Sequence, residues 1–126
     1  MLKDTATAKA LLDEFGAGHL KVMIDPANIL GPESLDQMFA HIGPAIFQGH
    51  AKDVILSGDK PTYPPAGKGE LDYPHYVRLL EQYRVPALVI EYVTEENYPE
   101  VRDFLRRLIA AAAPPDPRSS AFIRDS

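Results

Sequence analysis

The stretch Ala45-Ile-Phe-Gln-Gly-His-Ala-Lys-Asp53 starts apolar and becomes polar in its last residues. Short apolar runs of this kind are typical of buried β-strands. His50, Lys52 and Asp53 therefore stand where the backbone is expected to leave a sheet.

Two further apolar runs end in a similar way. Residues 20–24 are rich in branched side chains and are followed by Asp25, and residues 85–93 include Glu91 near their end. Apolar residues at helical spacing occur over 5–15, 35–42 and 73–83, and again after Asn97. Strands that alternate with helices predict right-handed βαβ units and a parallel α/β sheet. Asp25, His50 and Glu91 then lie at the carboxyl ends of three parallel strands, where such sheets bind ligands.

The composition restricts the function classes. We expect one domain over residues 1–113 and a flexible tail over 114–126. The formal net charge of -5 disfavours nucleic-acid binding, which rewards basic patches. The chain has no cysteine, so any metal site must use oxygen and nitrogen ligands. The sequence has no apolar run of about 18 residues, which a membrane-spanning helix would need. Its first residues also lack the basic segment followed by an apolar one that is typical of a signal peptide. We therefore expect a cytoplasmic protein without a membrane partner.

Asp25, His50 and Glu91 form a candidate ligand set. Side chains alternate along strands, so equivalent registers bring two carboxylates and one imidazole to a single point. That donor set suits one Mn²⁺, Mg²⁺, Co²⁺ or Zn²⁺ ion. Each residue alone has an ordinary alternative: a turn residue for Asp25, a hydrogen-bonded core histidine for His50 and a helix-cap partner for Glu91. The presence of all three at strand ends favours the metal site.

Four motifs resemble one known family in their order and spacing. They are Val22-Met-Ile-Asp25-Pro-Ala-Asn28, Gly49-His50-Ala-Lys52-Asp53, Gly67-Lys-Gly69-Glu-Leu-Asp72-Tyr-Pro74 and Val89-Ile-Glu91-Tyr92. Together they resemble the C-terminal part of the sugar phosphate isomerase/epimerase family, which has the xylose isomerase-like TIM barrel of the AP endonuclease family 2 superfamily. The resemblance implies a partial, three-stranded segment of an eight-stranded barrel.

The resemblance also implies roles for individual residues. In that family, the positions that match Asp25, His50 and Glu91 bind a divalent metal ion. The glutamate that matches Glu91 is also a catalytic acid/base next to the substrate carbonyl. Lys52 and Asp53 match a frequent His-x-Lys-Asp form and are expected to contact substrate.

Asn28 is a third expected substrate contact. Many members of the family have a histidine at the matching position, so Asn28 argues against a multinuclear zinc site. Residues 60–66 also lack the Asp-x-His of the DNA-repair members. A DNA-repair activity is therefore not expected.

An eight-stranded barrel takes roughly 250 residues, so this sequence matches only three of the eight strands. The five strands without a match include the one that, in the family, carries a second glutamate. That glutamate is a metal ligand and the acid/base on the opposite side of the substrate. Three strands alone would expose an apolar face that includes Met23, Phe47 and Val89. We expect a homo-oligomer, a complementing N-terminal half or a longer gene product to cover this face.

Two functions stay open from the sequence. One is metal-dependent isomerisation or epimerisation of a sugar or related hydroxy-ketone through an enediolate. The other is a non-catalytic truncated barrel that binds a metal, a ligand or a partner. Metal content and solvent exchange of substrate protons would separate them.

Overall fold

Helices and strands alternate along the chain. The computed structural model describes residues 4–16 and 18–113, so the predicted tail over 114–126 lies outside the described residues. The elements are α1 (Thr5–Phe15), β1 (Val22–Ile24), α2 (Leu35–Ile42), β2 (Ile46–Ala51), α3 (Tyr73–Gln82), β3 (Leu88–Ile90) and α4 (Tyr98–Ala112).

The three strands form one parallel sheet with β2 in the centre. Helix α1 packs against α2, and α3 packs against α4. The predicted α/β class with parallel βαβ units is confirmed, and the arrangement is that of a segment of a TIM barrel. All three strands therefore point their carboxyl ends, where barrels bind their ligands, in the same direction.

The strands are shorter than the apolar runs that predict them. Strand β3 covers Leu88–Ile90 rather than 85–93. Pro86 has no backbone N–H to donate to a neighbouring strand, and Tyr92 has a φ of 59°, which lies outside the strand region. These two residues limit β3 on either side.

A bulge interrupts the pairing of β1 with β2. Val22 pairs with Ile46, but the next residue of β1, Met23, pairs with Gln48, so Phe47 has no partner. An extra residue of this kind bends its strand and changes the direction of the side chains that follow. The bulge therefore lies directly upstream of the part of β2 that carries His50.

Side-chain caps fix the start of three helices. The Asp4 carboxylate accepts a hydrogen bond from Thr7 N at the start of α1, and this bond lowers the pKa of Asp4. Ser34 and Gln37 form a capping box at α2. Asp72 accepts from His75 N at the start of α3.

The core lies between the helices and one face of the sheet. Its largest fully buried side chains include Phe39, Tyr73 and Tyr76. The predicted apolar face is indeed open: Met23 is 56% exposed, Phe47 42% and Val89 36%. Over the range that the structure covers, no helix has the length and apolar character needed to cross a membrane.

Candidate metal centre

The structure brings Asp25, His50 and Glu91 together at the carboxyl ends of the strands. Asp25 directly follows β1, His50 is in β2 and Glu91 directly follows β3. One ligand atom from each side chain lies within 4.8 Å of the other two. His50 Nδ1 is 2.7 Å from Glu91 Oε1 and 3.8 Å from Asp25 Oδ2. The convergence that the sequence predicts is present.

Two carboxylate oxygens of this group have the surroundings expected of metal ligands. Within residues 4–16 and 18–113, Asp25 Oδ1 and Glu91 Oε1 are both buried and form no hydrogen bond. The short approach of His50 Nδ1 to Glu91 Oε1 does not have the alignment of a hydrogen bond. Buried carboxylate oxygens without partners are costly, and a divalent cation would satisfy both of them. The two carboxylates and the imidazole are therefore a donor set that fits a divalent metal ion.

Two of the predicted substrate contacts lie beside Asp25. Lys52 Nζ is 3.2 Å from Asp25 Oδ2, and Asn28 Nδ2 donates a hydrogen bond to the same oxygen at 3.2 Å. The Lys52 side chain is only 7% exposed, whereas Asn28 is exposed. Asp25 Oδ2 is thus contacted from two sides, whereas Oδ1 has no hydrogen-bond partner in the described part of the chain.

Two tyrosines that sequence reasoning missed enclose Lys52. Its ammonium lies 4.7 Å from the ring centroid of Tyr63 and 4.9 Å from that of Tyr92. Both distances allow cation–π attraction. Tyr92 is 57% exposed and adopts a left-handed backbone conformation directly after Glu91. Tyr92 could have been recognised from the sequence because it directly follows Glu91. No sequence pattern marks Tyr63, which lies in a loop.

Asp53 occupies a different environment. Its fully buried carboxylate accepts hydrogen bonds from the backbone N–H groups of Val54, Gly67 and Leu71, each at 2.9 Å. Gly69 packs so closely that an added Cβ would lie 2.6 Å from Asp53 Oδ1. This geometry favours a role in holding the loop between β2 and α3, and the substrate contact of Asp53 stays a prediction.

A groove of about 340 Å³ opens beside the ligands. It lies between α1 and β1, and its lining includes Met23, Asp25, Asn28 and His50. Pockets that hold small molecules start at about 300 Å³. The groove therefore offers a small molecule direct access to two of the three ligands.

The pKa values of two buried tyrosines of α3 are also affected by the carboxylates of the site. Burial raises the pKa of Tyr73 and Tyr76 above that of free tyrosine. For Tyr73, the neighbouring Tyr76 hydroxyl and then the carboxylates of Asp53, Asp25 and Glu91 act in the same direction. Both hydroxyls therefore remain protonated and can donate hydrogen bonds.

Comparison with known proteins identifies the family. A family model described as xylose isomerase-like TIM barrel matches residues 1–108. This range contains all three strands and the whole group of Asp25, His50 and Glu91. Comparison with curated proteins gave no match. The resemblance that the sequence motifs carry is confirmed, and the chain belongs to the xylose isomerase-like TIM barrel family.

Proposed function

We propose that Asp25, His50 and Glu91 hold one divalent metal ion and that the chain serves isomerisation or epimerisation of a sugar or related hydroxy-ketone. The observation that carries this proposal is the convergence of Asp25, His50 and Glu91, two of which have a buried carboxylate oxygen without a hydrogen-bond partner among the described residues. Membership of the family supports the sugar phosphate isomerase/epimerase-like kind of activity.

Glu91 is the group best placed to move a proton. When bound, a divalent ion supplies positive charge that polarises a carbonyl or hydroxyl oxygen of the substrate. The Glu91 carboxylate then takes a proton from the carbon next to the carbonyl, which leaves an enediolate. Isomerisation is complete when that proton is delivered to the former carbonyl carbon and the proton of the adjacent hydroxyl group moves to the former carbonyl oxygen. An epimerisation returns a proton to the opposite face of the same carbon and needs a second base.

The side chains around the ligands suit a polyhydroxylated substrate. The Lys52 ammonium adds positive charge beside Asp25, which favours the negative charge of an enediolate. Asn28 lies on the groove and offers an amide to hydroxyl groups. The exposed ring of Tyr92 offers an apolar face to the carbon-bound hydrogens of a sugar.

The open sheet supports a proposal on assembly. Met23, Phe47 and Val89 expose apolar surface on the face that a closed barrel would bury. We propose that a second copy or a separate N-terminal half covers this face. Light scattering at micromolar concentration tests the first option, because a stable, folded monomer would contradict a homo-oligomer.

Solvent exchange tests the proposed chemistry. The protein is loaded with Mn²⁺ and incubated with D-fructose in D₂O, and deuterium at the carbon next to the carbonyl is measured by mass spectrometry. We expect incorporation with the unmodified protein and none with Glu91→Gln. Asp13→Asn is the matched control, since Asp13 is an exposed carboxylate paired with Lys9 on α1. A Glu91→Gln protein that exchanges as fast as the unmodified one would contradict the role of Glu91.

One observation favours a non-catalytic alternative. In residues 4–16 and 18–113, the ligand group has three members and no fourth carboxylate joins it. Such a site binds a metal but has no second base. Mn²⁺ binding that depends on Asp25 and His50, without any deuterium incorporation, would support a metal- or ligand-binding module.

A further inference from the structure

Two tyrosine hydroxyls hold the end of β2, which contains His50 and is directly followed by Lys52. Tyr76 Oη donates a hydrogen bond to the backbone carbonyl of His50 at 3.0 Å. Tyr73 Oη donates to the backbone carbonyl of Lys52 at 2.5 Å. Both tyrosines lie on α3 and are almost fully buried, at 1% exposure for Tyr73 and 0% for Tyr76.

These two carbonyls lie beyond the regular pairing of β2 with β1. The pairing with β1 ends at Ile24 and Gly49. On the other side, the pairing with β3 uses the carbonyl of Ala51, which accepts from Glu91 N. Because a buried carbonyl without a partner is costly, the tyrosine hydroxyls stabilise a strand end that extends past its neighbour.

The surrounding packing leaves the hydroxyls little freedom. A Cβ added to Gly49 would lie 2.7 Å from Tyr76 Oη, so a glycine is needed where the hydroxyl approaches the strand. The Tyr73 and Tyr76 rings pack edge to face, with centroids 5.6 Å apart. Phe39 packs against Tyr76, and Phe104 packs against Tyr73. Side chains of α2 and α4 thus restrict the two tyrosine rings, and the tyrosine hydroxyls in turn hold the end of β2.

We propose that Tyr73 and Tyr76 are positioning residues of the metal centre, which set the backbone at His50 and Lys52 so that their side chains meet Asp25 and Glu91. This inference rests on the proposed metal site. His50 Nδ1 depends on the position of its own backbone for the 2.7 Å approach to Glu91. Lys52 depends in the same way on its backbone for the 3.2 Å contact with Asp25. A small shift at the strand end therefore moves both the His50 imidazole, a proposed metal ligand, and the Lys52 ammonium beside Asp25.

Removal of single hydroxyl groups tests the proposal. Tyr76→Phe and Tyr73→Phe keep the rings and remove only the donors, and Tyr83→Phe is the control because its ring packs on Phe39 near the other end of α3. Mn²⁺ affinity is measured by calorimetry on protein that circular dichroism shows to be folded. Loss of a group that orients a metal ligand typically weakens metal affinity by roughly 10- to 100-fold. We expect such a loss for the first two variants and none for Tyr83→Phe.

Nitrogen NMR of the His50 ring gives a readout that needs no metal. We expect Tyr76→Phe to shift the ring nitrogen resonances of His50 in metal-free protein, whereas Tyr83→Phe leaves them in place. If the unmodified protein does not bind Mn²⁺, the proposed function fails, and the His50 resonances still decide the role of Tyr76. Unchanged resonances and unchanged affinity, with only a lower melting temperature, would overturn the positioning role.

Discussion

Replacing Asp53 by alanine should destabilise the fold. The Asp53 carboxylate is fully buried and accepts three backbone hydrogen bonds, from Val54, Gly67 and Leu71, each at 2.9 Å. Alanine removes every acceptor and leaves the buried N–H groups of Val54 and Leu71 without a partner. The loop between β2 and α3 then loses the group that holds its two ends together.

The size of the effect follows from these bonds. Hydrogen bonds to a charged group contribute about 1.5–3 kcal/mol each, so three of them set an upper bound of roughly 9 kcal/mol. Alanine also removes the cost of burying the charge, and losses above about 5 kcal/mol are exceptional for one substitution. We expect the free energy of unfolding to fall by about 3–5 kcal/mol.

Urea unfolding followed by circular dichroism measures this loss. With a slope of about 1–3 kcal/mol per molar urea, the midpoint should fall by roughly 2 M. Asp59→Ala is the control, because Asp59 is an exposed carboxylate in the same loop, and its effect should stay within about 0.5 kcal/mol. An Asp53→Ala protein as stable as the Asp59→Ala control would show that the Asp53 carboxylate does not stabilise the loop.

Three further substitutions test local features by the same unfolding assay. Gly69→Ala should destabilise by about 1–3 kcal/mol, because its Cβ would lie 2.6 Å from Asp53 Oδ1; full stability would contradict this. Arg84→Gly should stabilise by about 1 kcal/mol, since Arg84 has a φ of 55°; a loss would count against it. Thr5→Val should cost about 1–2 kcal/mol because it breaks the side-chain bonds to Glu33, and an unchanged midpoint would show that they contribute nothing.

The parallel sheet and the ligand group could be predicted from the sequence. Three apolar runs separated by helical stripes leave few arrangements other than βαβ units. In such a sheet the carboxyl ends of the strands lie at one edge, so polar residues at those ends must come close. For this reason Asp25, His50 and Glu91 could be placed together before any coordinates.

The bulge and the true length of β3 could not be predicted in the same way. An apolar run shows which residues prefer burial, but it does not show which of them pair. Phe47 fits the run as well as its neighbours do, and only the pairing of Met23 with Gln48 reveals that it has no partner.

The surroundings of the ligands depend on contacts between distant segments. Tyr63 reaches Lys52 from a loop whose path no local pattern determines. Asp53 follows Lys52 directly, yet the amides of Gly67 and Leu71 bind its carboxylate. The motif Gly49-His50-Ala-Lys52-Asp53 could mark Lys52 and Asp53 as important, but it could not distinguish a contact to substrate from a contact that holds a loop.

Titration of metal-free protein with Mn²⁺, followed by electron paramagnetic resonance, shows whether Asp25, His50 and Glu91 bind a divalent metal ion. We expect one Mn²⁺ ion to bind per chain, and we expect His50→Ala and Asp25→Asn to abolish this binding. Asp13→Asn, which changes an exposed carboxylate of α1, should bind as the unmodified protein does. Absence of Mn²⁺ binding, or binding that persists in both His50→Ala and Asp25→Asn, would contradict the metal centre.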